Sequence, residues 1–293
     1  MRVLDPRVRV RINNILLCTD FSGAAEAAFP YAVDLARHFG AKLRALYVRN
    51  PDEYVMAFPE GGSVPTGFTE EQARSHLHAL LAGVSDLDHE EIVAEGEVWP
   101  SIESIVAKND IDLIVVGTRG RGGIAKLVLG SRAEEIFRRA TCPVLTVAAH
   151  LAEHLPSGEI KHILYATDLT PEAAVAAPYA VSLAQEYQAS LTLLHVITEP
   201  RTGDLVQPHD LIASTERRLR ELVPPEAELW CEPRFEVEQG SPADTILDVA
   251  RLRKADLIVM GLHRSTGMAT RLPMATAHRV VAGAKAPVLT VRS

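Results

Sequence analysis

The chain contains itself twice. Residues 15–48 align without gaps on residues 163–196, and 16 of the 34 aligned positions are identical. Ile15-Leu16-Leu17-Cys18-Thr19-Asp20 faces Ile163-Leu164-Tyr165-Ala166-Thr167-Asp168, and Pro30-Tyr31-Ala32-Val33 faces Pro178-Tyr179-Ala180-Val181. Near the end of each half, Pro143-Val144-Leu145-Thr146-Val147 recurs as Pro287-Val288-Leu289-Thr290-Val291. The offset falls from 148 to 144 between these blocks, so the middles of the halves differ slightly in length. Solenoid units run to ~20–50 residues, whereas this period has the size of a domain. A tandem duplication is the reading: a first domain over 1–149, a linker over 150–160 containing Pro156 and Gly158, and a second domain over 161–293.

Each half alternates short β-branched runs with helical patterns, which predicts an α/β fold whose parallel sheet is covered by helices. In the first half the strands are expected at 12–18, 42–48, 91–95, 113–116 and 144–148. Leu113-Ile114-Val115-Val116 is apolar throughout, as a strand buried on both faces should be. Thr69-Glu70-Glu71-Gln72 and Ser131-Arg132-Ala133-Glu134 read as capping boxes, and Ser241-Pro242 as a cap followed by proline at the first helical position. Residues 49–68, rich in Gly and Pro, read as a long loop beside the second strand.

Composition narrows the function classes. Lys+Arg 30 against Asp+Glu 38 gives a net charge of −8, without the basic footprint of a general nucleic-acid binder. Three cysteines, Cys18, Cys142 and Cys231, are odd in number and widely spaced, which fits a reducing compartment rather than a disulfide scaffold. No apolar run approaches the ~18 residues of a membrane span, and the N-terminal residues lack the apolar core of a signal peptide. A soluble cytoplasmic protein is expected, with no membrane or nucleic-acid partner.

The most specific local pattern follows the fourth expected strand: Gly117-Thr118-Arg119-Gly120, then nine residues, then Gly130-Ser131. Glycines after a strand permit positive φ and bring backbone N–H groups close to an anion, and a helix opening at Ser131 adds its own unpaired amides. Arg119, Arg121, Lys126 and Arg132 place positive charge in the same stretch. The plainer reading is that the glycines only turn the chain and Ser131 only caps a helix. Asp20 ends the first strand, which flanks the fourth at the switch point of a doubly wound sheet. There its carboxylate can accept hydrogen bonds from a ribose, or serve merely as a cap partner for a helix starting near Ser22.

These residues make each half resemble a universal stress protein domain, and nearly the whole chain resembles a tandem member of that family. The family's nucleotide signature, Gly-x2-Gly-x9-Gly-Ser/Thr, is matched by Gly117, Gly120, Gly130 and Ser131. The resemblance implies two Rossmann-like domains of the adenine nucleotide alpha hydrolase type, each a five-stranded parallel sheet of order 3-2-1-4-5 with helices on both faces. It implies ATP as the ligand, with or without Mg2+. The adenine is expected near Cys18, Thr19, Asp20 and Val48. Asp20 and Gly117 are expected at the ribose, and Gly120, Gly130, Ser131 and Arg132 at the phosphates, with Val116 and Arg119 also counted among the nucleotide-binding residues. Cys18 stands where related proteins often have proline. The resemblance also implies a homodimer, and pairing of residues 144–147 with 288–291 into an intrachain pseudo-dimer.

The second half departs from the signature. Gly261 matches Gly117, but Arg264 stands at the place of Gly120, and Met274-Ala275 at that of Gly130-Ser131. A Cβ at Met274 would strain a positive-φ cradle, so this half is expected to be a scaffold that has lost its ligand, although His263, Arg264 and Arg271 can attract another anion. His76 and His78 do not share a helix face, and His150 and His154 lie in the linker, so neither pair reads as a metal site. The expected function is an ATP-binding stress-response module that works through a nucleotide-biased conformation or assembly rather than turnover. The two alternatives are a slow ATP hydrolase and a nucleotide-free dimerisation scaffold.

Overall fold

The computed structural model describes residues 10–50, 55–57, 63–65, 68–118, 129–154, 160–198, 208–229, 231–262 and 271–292. The chain divides into two compact units, one built on Arg11–Gly122 with Gly130–Ala152 and the other on Glu153–Ser293.

The first unit runs β1 (Asn14–Cys18), α1 (Gly23–Phe39), β2 (Lys42–Arg49), β3 (Val55–Ala57), β4 (Ser63–Pro65), α2 (Glu70–Leu81), β5 (His89–Glu95), α3 (Val98–Lys108), β6 (Leu113–Thr118), α4 (Ser131–Arg139) and β7 (Val144–Ala148). Its main sheet is parallel, in the order β5-β2-β1-β6-β7. The central strand β1 pairs Leu17 with Ala45 on one side and with Val115 on the other. Ile15, Leu16 and Leu17 are wholly buried, because helices cover both faces of a parallel sheet. Right-handed crossovers put α1 and α2 on one face and α3 and α4, which touch each other, on the other. The order reverses between β1 and β6, so the carboxyl ends of these two strands form the switch point.

The local signals explain the ends of these elements. Ser22 caps α1 by accepting the Ala25 N–H, and Gly40 ends it in the left-handed conformation at φ 62°. Thr69 and Gln72 form the expected capping box on α2. Two expectations need correction. The stretch 49–68 is not only loop: β3 and β4 pair antiparallel, Val55 opposite Pro65 and Ala57 opposite Ser63. The Gly and Pro content of the stretch had hidden two strands of three residues each. Ser131 is also not a cap. Gly130 takes the capping position with extended backbone (φ −62°, ψ 147°), its carbonyl accepts the Glu134 N–H at 2.8 Å, and Ser131 is the first helical residue.

The second unit runs β8 (His162–Ala166), α5 (Pro171–Ala174), α6 (Ala177–Tyr187), β9 (Ser190–Ile197), α7 (Pro208–Arg220), β10 (Arg234–Gln239), α8 (Pro242–Arg253), β11 (Leu257–Leu262), α9 (Arg271–Gly283) and β12 (Val288–Arg292). Its sheet is parallel in the order β10-β9-β8-β11-β12, the same path as in the first unit. No helix among the described residues is long and apolar enough to cross a membrane.

Candidate functional site

The turn leaving β1 is built by two side chains. Thr19 Oγ1 accepts the Phe21 N–H at 3.0 Å, and Asp20 Oδ1 accepts the Ser22 N–H at 3.0 Å. Together they hold Phe21 at φ 56°, a left-handed conformation that costs a non-glycine residue ~1–2 kcal/mol. The second unit repeats the device: Thr167 Oγ1 accepts from Leu169 N–H, Asp168 Oδ1 from Thr170 N–H, and Leu169 sits at φ 60°. Asp20 therefore does hold the start of the helix, as the plainer reading of this residue proposed. The same turn leaves it exposed at the switch point.

A cleft of about 660 Å³ opens at that point in the first unit. The ends of β1 and β2 supply Cys18, Thr19, Asp20 and Val48, β6 supplies Val116 and Gly117, and the start of α4 supplies Gly130, Ser131 and Arg132. Nine sequence-derived candidates thus line one cavity. Arg119 and Gly120 lie outside the described residues, as do Arg121 and Lys126, and in the second half His263 and Arg264; the side chain of Arg271 does too. The first-turn amides of a helix have no intrahelical acceptors and carry partial positive charge. In α4 these amides belong to Ser131, Arg132 and Ala133, all lining the cleft, so a phosphate or carboxylate is the natural guest at this end. Burial pushes the Cys18 thiol up to about 12, which makes it a neutral wall atom rather than a nucleophile. Cys142 is partly exposed as a residue, and burial of its thiol pushes it up to about 11.

Gly117 and Gly130 do not act through positive φ. Gly130 is extended at φ −62°, and Gly117 is not among the positive-φ glycines. A Cβ on Gly117 would lie 2.0 Å from the Ala24 carbonyl oxygen and 2.8 Å from the Ala25 nitrogen. Glycine is needed there because the first turn of α1 rests on β6. Gly261 shows the same thing against Ala173, where a Cβ would lie 2.4 Å from both Cα and the carbonyl oxygen. The second unit also alters the other end of the site. Helix α9 begins at Arg271, so Met274 and Ala275, matched to Gly130 and Ser131, lie inside its first turns rather than at its start.

Sequence reasoning missed the aromatic side of the cleft. Phe21, Tyr47 and Phe68 line it beside Val48. The signal was present, since Phe21 follows Asp20 and Tyr47 precedes Val48, yet Phe68 joins them only through the fold. Of the histidines, His78 pairs with Glu91 at 3.0 Å and His76 packs against Phe68. No group of three His, Cys, Asp or Glu among the described residues could hold a metal ion.

The family model of the universal stress protein family matches residues 11–148 and again 159–292. The chain belongs to the universal stress protein family. It is a two-domain member: a universal stress protein of Mycolicibacterium smegmatis is 28% identical over 297 residues, with 95% of this chain and 96% of the relative covered. The universal stress protein Slr1230 of Synechocystis is 25% identical over 304 residues, covering 96% of this chain and 100% of the relative. The crystal structure of a universal stress protein from Archaeoglobus fulgidus superposes with a TM-score of 0.70 at 22% identity, over 97% of this chain and 99% of that one. In this universal stress protein Gly117 makes room for the packing of α1, and Gly130 stands ahead of α4 on the wall of the cleft.

Proposed function

We propose that the first unit binds one adenine nucleotide, ATP, and that the protein acts as a nucleotide-dependent regulatory module in the stress response. The observation that carries this reading is the single cleft joining Asp20 at the end of β1 to the first turn of α4. One end offers a carboxylate for ribose hydroxyls, the other a positive helix end for phosphates, and Val48, Val116 and Tyr47 supply an apolar wall between them. A volume near 660 Å³ is within the ~300–1,000 Å³ usual for small-molecule sites. Of the described residues that line the cleft, Asp20 is the one carboxylate. A Mg2+ ion arriving with ATP would be held mainly by the phosphates and water.

The same reading keeps the ligand out of the second unit. Its counterpart to Ser131, Ala275, lies in the second turn of α9, where a backbone N–H bonds the carbonyl four residues back. Isothermal titration of the full chain with ATP is the test. One site per chain is expected, weakened when Asp20→Ala removes the carboxylate. A stoichiometry of two refutes the assignment to the first unit, and absence of binding refutes the nucleotide reading.

A further inference from the structure

Four rings meet at the mouth of the cleft. Phe21 stacks on Tyr47 with centroids 4.9 Å apart and planes 26° from parallel, and Phe68 meets Phe21 edge-on at 5.6 Å. Phe68 also meets Tyr47 edge-on at 6.0 Å. His76 closes the group at 4.5 Å from Phe68 and 5.1 Å from Phe21. Its Nδ1 lies 2.7 Å from the Gln72 carbonyl, to which it donates. Tyr47 is buried beneath the others, while Phe21 and Phe68, both large and apolar, keep part of their surface exposed within the cleft.

The second unit provides an internal comparison. By the repeat, Leu169 stands at the place of Phe21 and His195 at that of Tyr47. There the polar groups are tied to protein: His195 Nδ1 donates to the Thr167 carbonyl at 2.9 Å, and Arg218 donates to the Leu169 carbonyl at 3.0 Å. The turn is the same in both units, with Phe21 and Leu169 at nearly the same positive φ. The aromatic side chains are thus not required to make the turn. At these two matched positions the rings belong to the first unit, and Tyr47 lines the cleft next to Val48.

We propose that Phe21, Tyr47 and Phe68 are the specificity-determining wall of this site, against which the nucleobase packs, favouring the larger purine ring system over a pyrimidine. The assignment rests on the reading that a nucleotide occupies the cleft. Aromatic rings hold a neighbouring ring either offset-stacked or edge-on, and removal of one stacking partner weakens base binding by roughly five- to 150-fold. Phe21 and Phe68 are positioning residues for the base; as apolar rings they offer a phosphate no hydrogen bond.

The test uses the full chain and the variants Phe21→Leu, Phe68→Leu and Phe21→Tyr. Leucine is the residue at the matched position of the second unit, so it is compatible with the turn, and tyrosine retains the ring. Each protein is titrated calorimetrically with ATP, CTP and inorganic triphosphate, with a thermal melt to confirm folding. The parent should prefer ATP over CTP by at least about tenfold. Each leucine variant should lose roughly tenfold in ATP affinity, with the ATP-to-CTP ratio shrinking, triphosphate binding unchanged and Phe21→Tyr behaving as the parent. An unaltered ATP-to-CTP ratio in both leucine variants, or equal losses for all three ligands, would overturn the proposal and leave the rings as packing. A parent that binds ATP and CTP equally overturns the wall alone; a parent that binds no ATP overturns the nucleotide reading with it.

Discussion

If Gly117 and Gly261 are glycines because α1 and α5 press on the strands beneath them, adding one methyl group to either should unsettle its own unit. An ideal Cβ at Gly117 falls 2.0 Å from Ala24 O, 2.3 Å from Ala24 C and 2.8 Å from Ala25 N, whereas ordinary contact starts at 3.4 Å. The first turn of α1 would have to retreat by more than about 1 Å. It resists as backbone, not as a rotatable side chain, and is fastened by the Ser22 cap and by the Thr19 and Asp20 hydrogen bonds. Overpacking of this kind costs ~1–3 kcal/mol, and the upper part of that range applies. About 0.5–1 kcal/mol returns because alanine has less chain entropy to lose than glycine. A net loss of about 2 kcal/mol lowers a melting temperature by roughly 4–8 °C for a unit of this size. Differential scanning calorimetry of Gly117→Ala and Gly261→Ala should show this loss for both. Gly117→Ala should also weaken ATP binding, because Ala24 and Ala25 line the cleft, while Gly261→Ala should leave it intact. Parent-like melting of Gly261→Ala would refute the packing argument. Undiminished stability of Gly117→Ala with loss of ATP would make that glycine a ligand residue instead.

Two further predictions concern other parts of the molecule. Burial, assisted by the charge of Arg234, holds the His162 imidazole below its ordinary range, so the unfolded chain takes up this proton more readily than the folded one. The stability that neutral His162 permits is complete above about pH 6.5 and erodes as the pH falls below it. His162→Asn, which installs the residue found at the matched Asn14, should flatten melting temperature between pH 5 and 6.5; an unchanged slope counts against it. For assembly, sedimentation equilibrium of the full chain should give twice the mass of one chain, and a stable monomer refutes the homodimer that the family resemblance implies.

Much of the frame was legible because its signals are local. An uninterrupted apolar run marks β6, and Pro143 followed by Val144 marks the start of β7. The Thr19–Asp20 pair recurs in the repeat as Thr167–Asp168, and in both units it builds the turn that leaves the first strand. What escaped depends on distance or on conformation that residue type does not reveal. Phe68 reaches Phe21 and Tyr47 only once α2 is docked beside β2. Positive φ was expected at Gly130 because glycine allows it, but the backbone there is ordinary extended chain. The pairing of β3 with β4 was concealed by the Gly and Pro content of the stretch.

The early start of α9 also has a consequence. Where the first unit keeps Gly130 ahead of a nine-residue helix, the second has Met274 within a helix of 13 residues. Methionine is a far better helix former than glycine, which suits a position inside the helix. Every added turn is then held by its own backbone bonds, and reversing one residue no longer unwinds it. The two units thus differ in the place where a helix starts and not only in the residue type at one position, and exchanging one residue does not exchange that start.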